Sequence, residues 1–307
     1  MFGLGSSSVF DAVIVGGGPA GLSAALLLGR ARRRVLLADA GSPRNAPASA
    51  AHSMFTRDGT PPEELLRIGR EQLKPYGVTL HQERAVTATA TAAGFEVMFE
   101  SGTKAQARKV LLATGVRDIL PEIPGFDAFW GRTVFHCPYC HGWEVAGQPL
   151  AVYGNGEVAF EMTKLLLGWS DDLIVFTDGP AEFDAEQRAQ LERKHVLIRD
   201  EPVVRLLGTD GQLEAVELST GEQVMRSGLL FRPAQTLRSD LSHQLGCPLT
   251  ADGHVQADAF GQTDISGVFV AGDTSPAMQQ VMTAAASGLQ AAGMLNWQLL
   301  DEDFARS

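Results

Sequence analysis

Cysteine is scarce in this chain: three residues in 307, Cys137, Cys140 and Cys247. An odd, small number excludes a secreted disulfide scaffold and makes a reducing cytoplasm the expected compartment. Basic charge is also short. The formal net charge is -11, and the one basic cluster, Arg30, Arg32, Arg33 and Arg34, reads as a solvated helix end near the C-terminal dipole. No nucleic-acid partner is expected. Long apolar runs are missing too, since the best late stretch, Val281 to Leu300, is broken by Ser287, Gln290, Asn296 and Gln298. It reads as a buried helix, with no membrane role. Met1 to Ser8 has neither the basic start nor the apolar core of a signal peptide. No low-complexity linker divides the chain. What remains is ordinary globular material, 45% hydrophobic and 20% charged, of a length that suits two domains.

The pattern of elements is a βαβ unit met twice. Phe10 to Val15 is an apolar strand entering Gly16-Gly17-Gly18-Pro19-Ala20-Gly21, followed by an apolar helix to about Gly29 and a strand ending at Asp39. A helix is expected over Pro61 to Lys74, with Thr60 as N-cap and Glu63 completing a capping box. Phe95, Val97 and Phe99 alternate with polar or softer residues as a half-buried strand does, and Lys109 to Ala113 is an apolar strand ending at Thr114-Gly115. The unit then restarts with strand Leu150 to Tyr153, the turn Gly154-Asn155-Gly156-Glu157-Val158-Ala159, a helix, and strand Leu173 to Phe176. Strand Gly267 to Ala271 and a long final helix close the chain. Hinges are expected near Gly115 to Arg117 and Leu245 to Pro248, which makes the first domain discontinuous.

Gly16-x-Gly18-x-x-Gly21 follows a strand, opens a helix, and has Asp39 18 residues after its last glycine. That context suits a dinucleotide: backbone close to a pyrophosphate at a helix N-terminus, and an acid for a ribose hydroxyl. Gly154-x-Gly156-x-x-Ala159 repeats the arrangement with Asp178, yet Phe176 to Glu182 holds no arginine for a 2′-phosphate. A nucleotide site and a bare Rossmann-like scaffold both fit this second turn. Gly272-Asp273 after the late strand is either an ordinary helix entry or the holder of a flavin's sugar-alcohol chain.

Between the two turns stands Phe135-His136-Cys137-Pro138-Tyr139-Cys140-His141-Gly142. Cys137 and Cys140 suit a redox pair, half of a metal site, or packed thiols. A tetrahedral zinc site would need a further ligand pair that Cys247 alone does not supply, so no metal is expected. In the redox reading a helix beginning at Cys137 would favour its thiolate, and His141 is the general acid/base, with a hydrogen-bonded structural histidine as the alternative. His52 is a loop histidine or a residue near the flavin or substrate. Trp143, Trp130 and Phe129 read as core or interface packing rather than substrate contacts.

Together these pieces resemble the low-molecular-weight thioredoxin reductase family of flavoproteins. The motifs that carry the resemblance are Gly16 to Gly21, Ala113-Thr114-Gly115, Cys137-x-x-Cys140-x-Gly142, Gly154 to Glu161, and Gly267 to Asp273 with Gln280. The resemblance implies an α/β fold of two Rossmann-like domains of three-layer ββα type, the second inserted in the first. FAD would sit on residues 1–116 and 246–307, at Gly16, Gly18, Pro19, Ala20, Gly21, Asp39, Thr114, Gly115, Gly272, Asp273 and Gln280. An NAD(P)H-like domain, 117–245, would carry the redox pair, with Gly154, Gly156 and Asp178 as nucleotide residues. Cys140 matches the cysteine nearer the flavin and Cys137 the one that attacks the partner disulfide. The implied partners are a thioredoxin-like protein or a small dithiol, and a second copy in a homodimer.

Three departures mark a divergent branch. His141 stands where the family has an aspartate, Thr177-Asp178-Gly179 replaces its NADPH-binding arginines, and Leu230-Phe231-Arg232-Pro233-Ala234 lacks its closing glycine signature. With Arg44-Asn45-Ala46-Pro47, this resembles a branch of dithiol oxidases and thioredoxin reductases that do not use a pyridine nucleotide. The expected activity is a FAD-dependent thioredoxin-reductase-like disulfide oxidoreductase. A dithiol oxidase using oxygen and a non-enzymatic flavin redox sensor are the alternatives.

Overall fold

The computed structural model describes residues 9–276 and 278–306; the expectation drawn from Met1 to Ser8 lies outside them. The chain forms two compact units. One holds the residues up to Arg44, Thr60–Arg117 and those from Gln235 on, and the other holds Asn45–Gly59 and Asp118–Ala234.

In the first unit, six strands lie in the order Thr79–His81, Val35–Ala38, Phe10–Val15, Lys104–Leu112, Gly94–Phe99, Ala85–Thr91, and Val268–Val270 also pairs with Lys104–Leu112. The Lys104–Leu112 strand forks the sheet. Its first half runs antiparallel to Gly94–Phe99, and its second half is parallel to Val268–Val270. It begins well before the expected Lys109, because Ala105 and Ala107 bury on one face while their polar neighbours face out. Along Phe10–Val15 the pleat sends Val13 and Val15 into one core with Phe95, Val97 and Phe99. Ala12 and Ile14 enter the other core, with Leu28, Leu295 and Leu299 of the helices Pro19–Arg30 and Val281–Ala305. The result is three layers, two of sheet and one of helix. The helix expected from Pro61 spans Pro62–Leu73 and has no side-chain cap, so the Thr60 capping box does not form. Two successive prolines hold the entry instead, and Glu63 and Glu64 still face the helix dipole.

The second unit repeats the plan. Its five-stranded parallel sheet has the order Leu197–Arg199, Leu173–Phe176, Leu150–Tyr153, Gly228–Phe231, Val134–Phe135. Val203–Thr209, Gln212–Leu218 and Gln223–Met225 form an antiparallel layer. One core, with Phe160, Leu166 and Leu191, lies under the helices, and another, with Phe126, Ile174 and Leu206, lies under the antiparallel layer.

The units depart from the expected domain limits in two places. Residues 45–59 group with the dithiol-bearing unit, where Arg132 Nε donates to the Pro47 carbonyl and Ser53 Oγ to the Tyr139 carbonyl, at 3.4 Å each. Residues 235–245 group with the first unit. There Leu241 and Leu245 bury in its core, and Gln244 bonds the backbone of Val86 and Ala88. Among the described residues no helix is long and apolar enough to cross a membrane.

Candidate functional site

The edge strand Val134–Phe135 ends its parallel sheet, and the chain emerging from its carboxyl end carries the thiols. Cys137 is the N-cap of a one-turn helix, Pro138–His141, and its carbonyl accepts the N–H groups of Cys140 and His141 at 3.1 and 3.2 Å. One turn places both cysteines together, each half-buried. A helix this short brings little macrodipole, so the expected thiolate stabilisation from it is small. Gly142 has a packing reason: a Cβ there would stand 2.6 Å from the Pro138 carbonyl oxygen and 2.8 Å from Trp169 Nε1. Cys247 lies apart, buried, with burial pushing its thiol pKa up. Among the described residues no group of three or more His, Cys, Asp or Glu is arranged to hold a metal.

His141 ends the one-turn helix and stacks on Phe135, ring centroids 5.8 Å apart and planes 17° from parallel. Both its ring nitrogens are buried without a well-formed hydrogen bond, the backbone of Gly131 being the polar group that interacts with the ring. Burial holds its pKa below the ordinary value of 6.5, against the pull of Glu144. The ring is therefore mainly neutral at pH 7 and able to accept a proton. Glu144 follows one turn later and meets His52 of the 45–59 segment, Oε1 to Nε2 3.2 Å. Asp58 stands 3.5 Å from the other ring nitrogen of His52. The loop histidine thus belongs to the neighbourhood of the dithiol, a placement no local pattern announces. Tyr139, Trp143 and Phe55 are exposed apolar side chains in the same unit.

In the first unit the Gly16 to Gly21 turn fits a dinucleotide. A Cβ on Gly16 would lie 2.2 Å from the Ala113 carbonyl oxygen and one on Gly21 1.8 Å from that of Gly16, whereas Gly18 faces open space. Gly18 is the N-cap of Pro19–Arg30 and supplies no side-chain cap, which leaves that helix start to an anion. Asp39 receives the Gly41 N–H at 3.1 Å, with Arg70 3.9 Å away. Gly115 N–H bonds Thr274 Oγ1 at 2.8 Å beside half-buried Thr114, and Gly272-Asp273 forms the 3₁₀ turn that follows Val268–Val270. Gln280 is the N-cap of Val281–Ala305, one place before that helix. Asp273 pairs with Arg44 at 2.9 Å, which gives the first residue of Arg44-Asn45-Ala46-Pro47 a structural partner.

The Gly154 to Ala159 turn is filled by its own side chains. Asn155 Oδ1 accepts the N–H of Gly156 and of Glu182, and its amide nitrogen donates to the carbonyls of Thr177 and Pro180. Every hydrogen-bonding position of that amide is used. A Cβ on Gly156 would stand 3.6 Å from Glu182 Oε2, so an exposed carboxylate lies beside this turn. Asp178, in a left-handed conformation, accepts the Tyr153 hydroxyl and the Val203 N–H. One arginine does reach this loop from outside the motif, Arg188, whose Nη2 donates to the Ala181 carbonyl at 2.7 Å. Within the motif itself, Phe176 to Glu182 holds no arginine for a 2′-phosphate.

Comparison with known proteins agrees with this architecture. The family model described as pyridine nucleotide-disulphide oxidoreductase matches residues 10–288. The thioredoxin reductase sirT of Leptosphaeria maculans is 35% identical, over 97% of each chain. Among solved structures, the putative thioredoxin reductase TrxB of Bacillus anthracis superposes with a TM-score of 0.90 at 35% identity, covering 96% of this chain and 99% of its own. HlmI superposes with a TM-score of 0.93 at 38% identity, covering 99% and 97%. The chain belongs to the pyridine nucleotide-disulphide oxidoreductase family, as a thioredoxin-reductase-like oxidoreductase that acts on sulfur groups.

Proposed function

We propose that this protein is a FAD-dependent disulfide oxidoreductase in which Cys137 and Cys140 exchange two electrons with a thioredoxin-like or small dithiol partner, without a pyridine nucleotide at the second turn. The observation that carries the reading is the dithiol on its one-turn helix with His141, buried and held toward its neutral form, at the end of that turn. A base so placed serves proton transfer better than support.

FAD would be held by Gly16, Gly18, Pro19, Ala20, Gly21, Asp39, Thr114, Gly115, Gly272, Asp273 and Gln280. Bound there, it supplies reversible two-electron exchange with the cysteine pair. The chain's own steps are thiol–disulfide exchange. In the reductase direction the Cys137 thiolate attacks the partner's disulfide, giving a mixed disulfide and one partner thiolate. Cys140, deprotonated by His141, then attacks Cys137 Sγ, closing the Cys137–Cys140 disulfide and expelling the second partner thiolate. His141 returns its proton to the sulfur that leaves second, the thiolate released first takes a proton from water, and two partner thiols result. Exposed Tyr139, Trp143 and Phe55 offer an apolar surface for docking.

The filled second turn favours a second reading, a dithiol oxidase. There a substrate thiolate attacks Cys137 of the enzyme disulfide, the substrate's other thiolate closes its own disulfide, and oxygen is the final electron acceptor. A homodimer belongs to both readings. Met282, Leu289, Trp297, Leu300 and Phe304 form an exposed apolar stripe on the final helix that a second copy would cover. The cytoplasm is the proposed compartment, where thiols are kept reduced.

The deciding experiment mixes the protein anaerobically with NADPH, NADH, reduced ferredoxin or a small dithiol and follows bleaching of the flavin band. Bleaching by dithiol with little or none by NADPH is expected. Fast stoichiometric reduction by NADPH would overturn the reading of the second turn, and silence with every donor would sink the proposed electron exchange.

A further inference from the structure

We infer that Arg44 is a cation of the flavin site and sets its affinity for the pyrophosphate; the inference rests on the FAD reading above. A carboxylate beside a phosphate-binding turn is a liability, because like charges repel across a poorly screened gap. Asp273 is such a carboxylate. The residue before it, Gly272, packs on the first turn of the Pro19–Arg30 helix, where a Cβ would touch Ala20 Cβ at 3.0 Å. The Asp273 charge therefore lies close to the helix start that the open Gly18 leaves to an anion.

Arg44 answers that charge. Its Nη1 donates to Asp273 Oδ2 at 2.9 Å and to Gln279 Oε1 at 2.8 Å. Gln279 is itself held by two reciprocal amide bonds with Gln235, 2.7 and 2.9 Å long. The guanidinium is thus fixed from two sides and is only 17% exposed, unlike a mobile surface arginine. All four residues belong to the first unit. The pair leaves the site without net charge at Asp273, so the helix amides and the guanidinium can act on a dianion.

The test uses apoprotein titrated with FAD and with riboflavin, which lacks the phosphates, read by flavin fluorescence. R44Q should weaken FAD by ~10-fold or more while changing riboflavin by less than ~2-fold, and R44K should recover most of the FAD affinity. Unchanged FAD affinity in R44Q would overturn the inference. So would equal losses for both flavins, which would make Arg44 only a brace for Asp273. If R44Q fails to accumulate, R44M repeats the test with the aliphatic stem kept. Failure of the unsubstituted protein to take up FAD would remove the flavin reading and this inference with it.

Discussion

Tyr153 donates its phenol hydroxyl to Asp178 Oδ2 at 2.9 Å, and burial together with that carboxylate pushes the phenol pKa up, so the hydroxyl remains a donor at any working pH. The acid expected to greet a ribose instead ties the strand Leu150–Tyr153 to the Val203 backbone. NADPH and NADH should therefore bind weakly or not at all, as read by titration calorimetry. N155G, which removes the amide that fills the turn, should not restore binding by itself, because Glu182 and the Asp178 bonds persist. Tight NADPH binding that is lost in R188A would show that Arg188 supplies the missing phosphate contact.

The two cysteines should separate cleanly in trapping experiments. C140S leaves Cys137 to attack a partner disulfide with no neighbour to resolve it, so a mixed disulfide should accumulate. C137S should trap little. Intact-protein mass spectrometry after mixing with an oxidised thioredoxin-like protein or a cyclic disulfide checks both, and equal trapping by the two variants would reverse the assigned roles.

How much of this was readable in advance depends on whether a feature is local. The strand Phe10–Val15 and its glycine turn have the bounds expected, because an apolar parallel strand entering a glycine-rich turn is a short-range signal. Leu150–Tyr153 and Leu173–Phe176 match for the same reason. The final helix runs past the expected Leu300 to Ala305, since Glu302 and Asp303 are held by Lys109, Arg108 and Arg33 from distant parts of the chain. Thr60 carried a capping signature that two prolines displaced. The attachment of His52 to Glu144, the Arg44–Asp273 pair and the Asn155 staple depend on tertiary neighbours. Arg44, Asp273 and Asn155 stand in recognisable motifs, but their flanking residues do not say which distant groups they meet.

Gly142 should be intolerant of a side chain. G142A puts a methyl group against the Pro138 carbonyl and Trp169, and overpacking of this kind costs about 1–3 kcal/mol. The strain falls on the turn that holds the thiols. Thermal unfolding should drop, and the rate at which Cys137 and Cys140 react with a thiol reagent should change with it. A variant as stable and as reactive as the unsubstituted protein would contradict the packing described for this turn.

The burial of His141 predicts a pH response whose sign can be worked out. Its folded-state pKa lies below 6.5, so near that pH the unfolded chain binds more protons than the folded one. The stability it permits is present above 6.5 and is lost as pH falls through that value toward the folded pKa. Function should follow the same titration, because a neutral ring accepts the thiol proton and a protonated one cannot. Single-turnover oxidation of a dithiol should rise with pH through an inflection that lies below 6.5. H141A should lose roughly 10²–10⁴-fold in that step and lose the inflection as well. H141N, similar in shape, should keep the fold and still lack the rate. An inflection that survives in H141A would move the proton-handling role to His52 or another group.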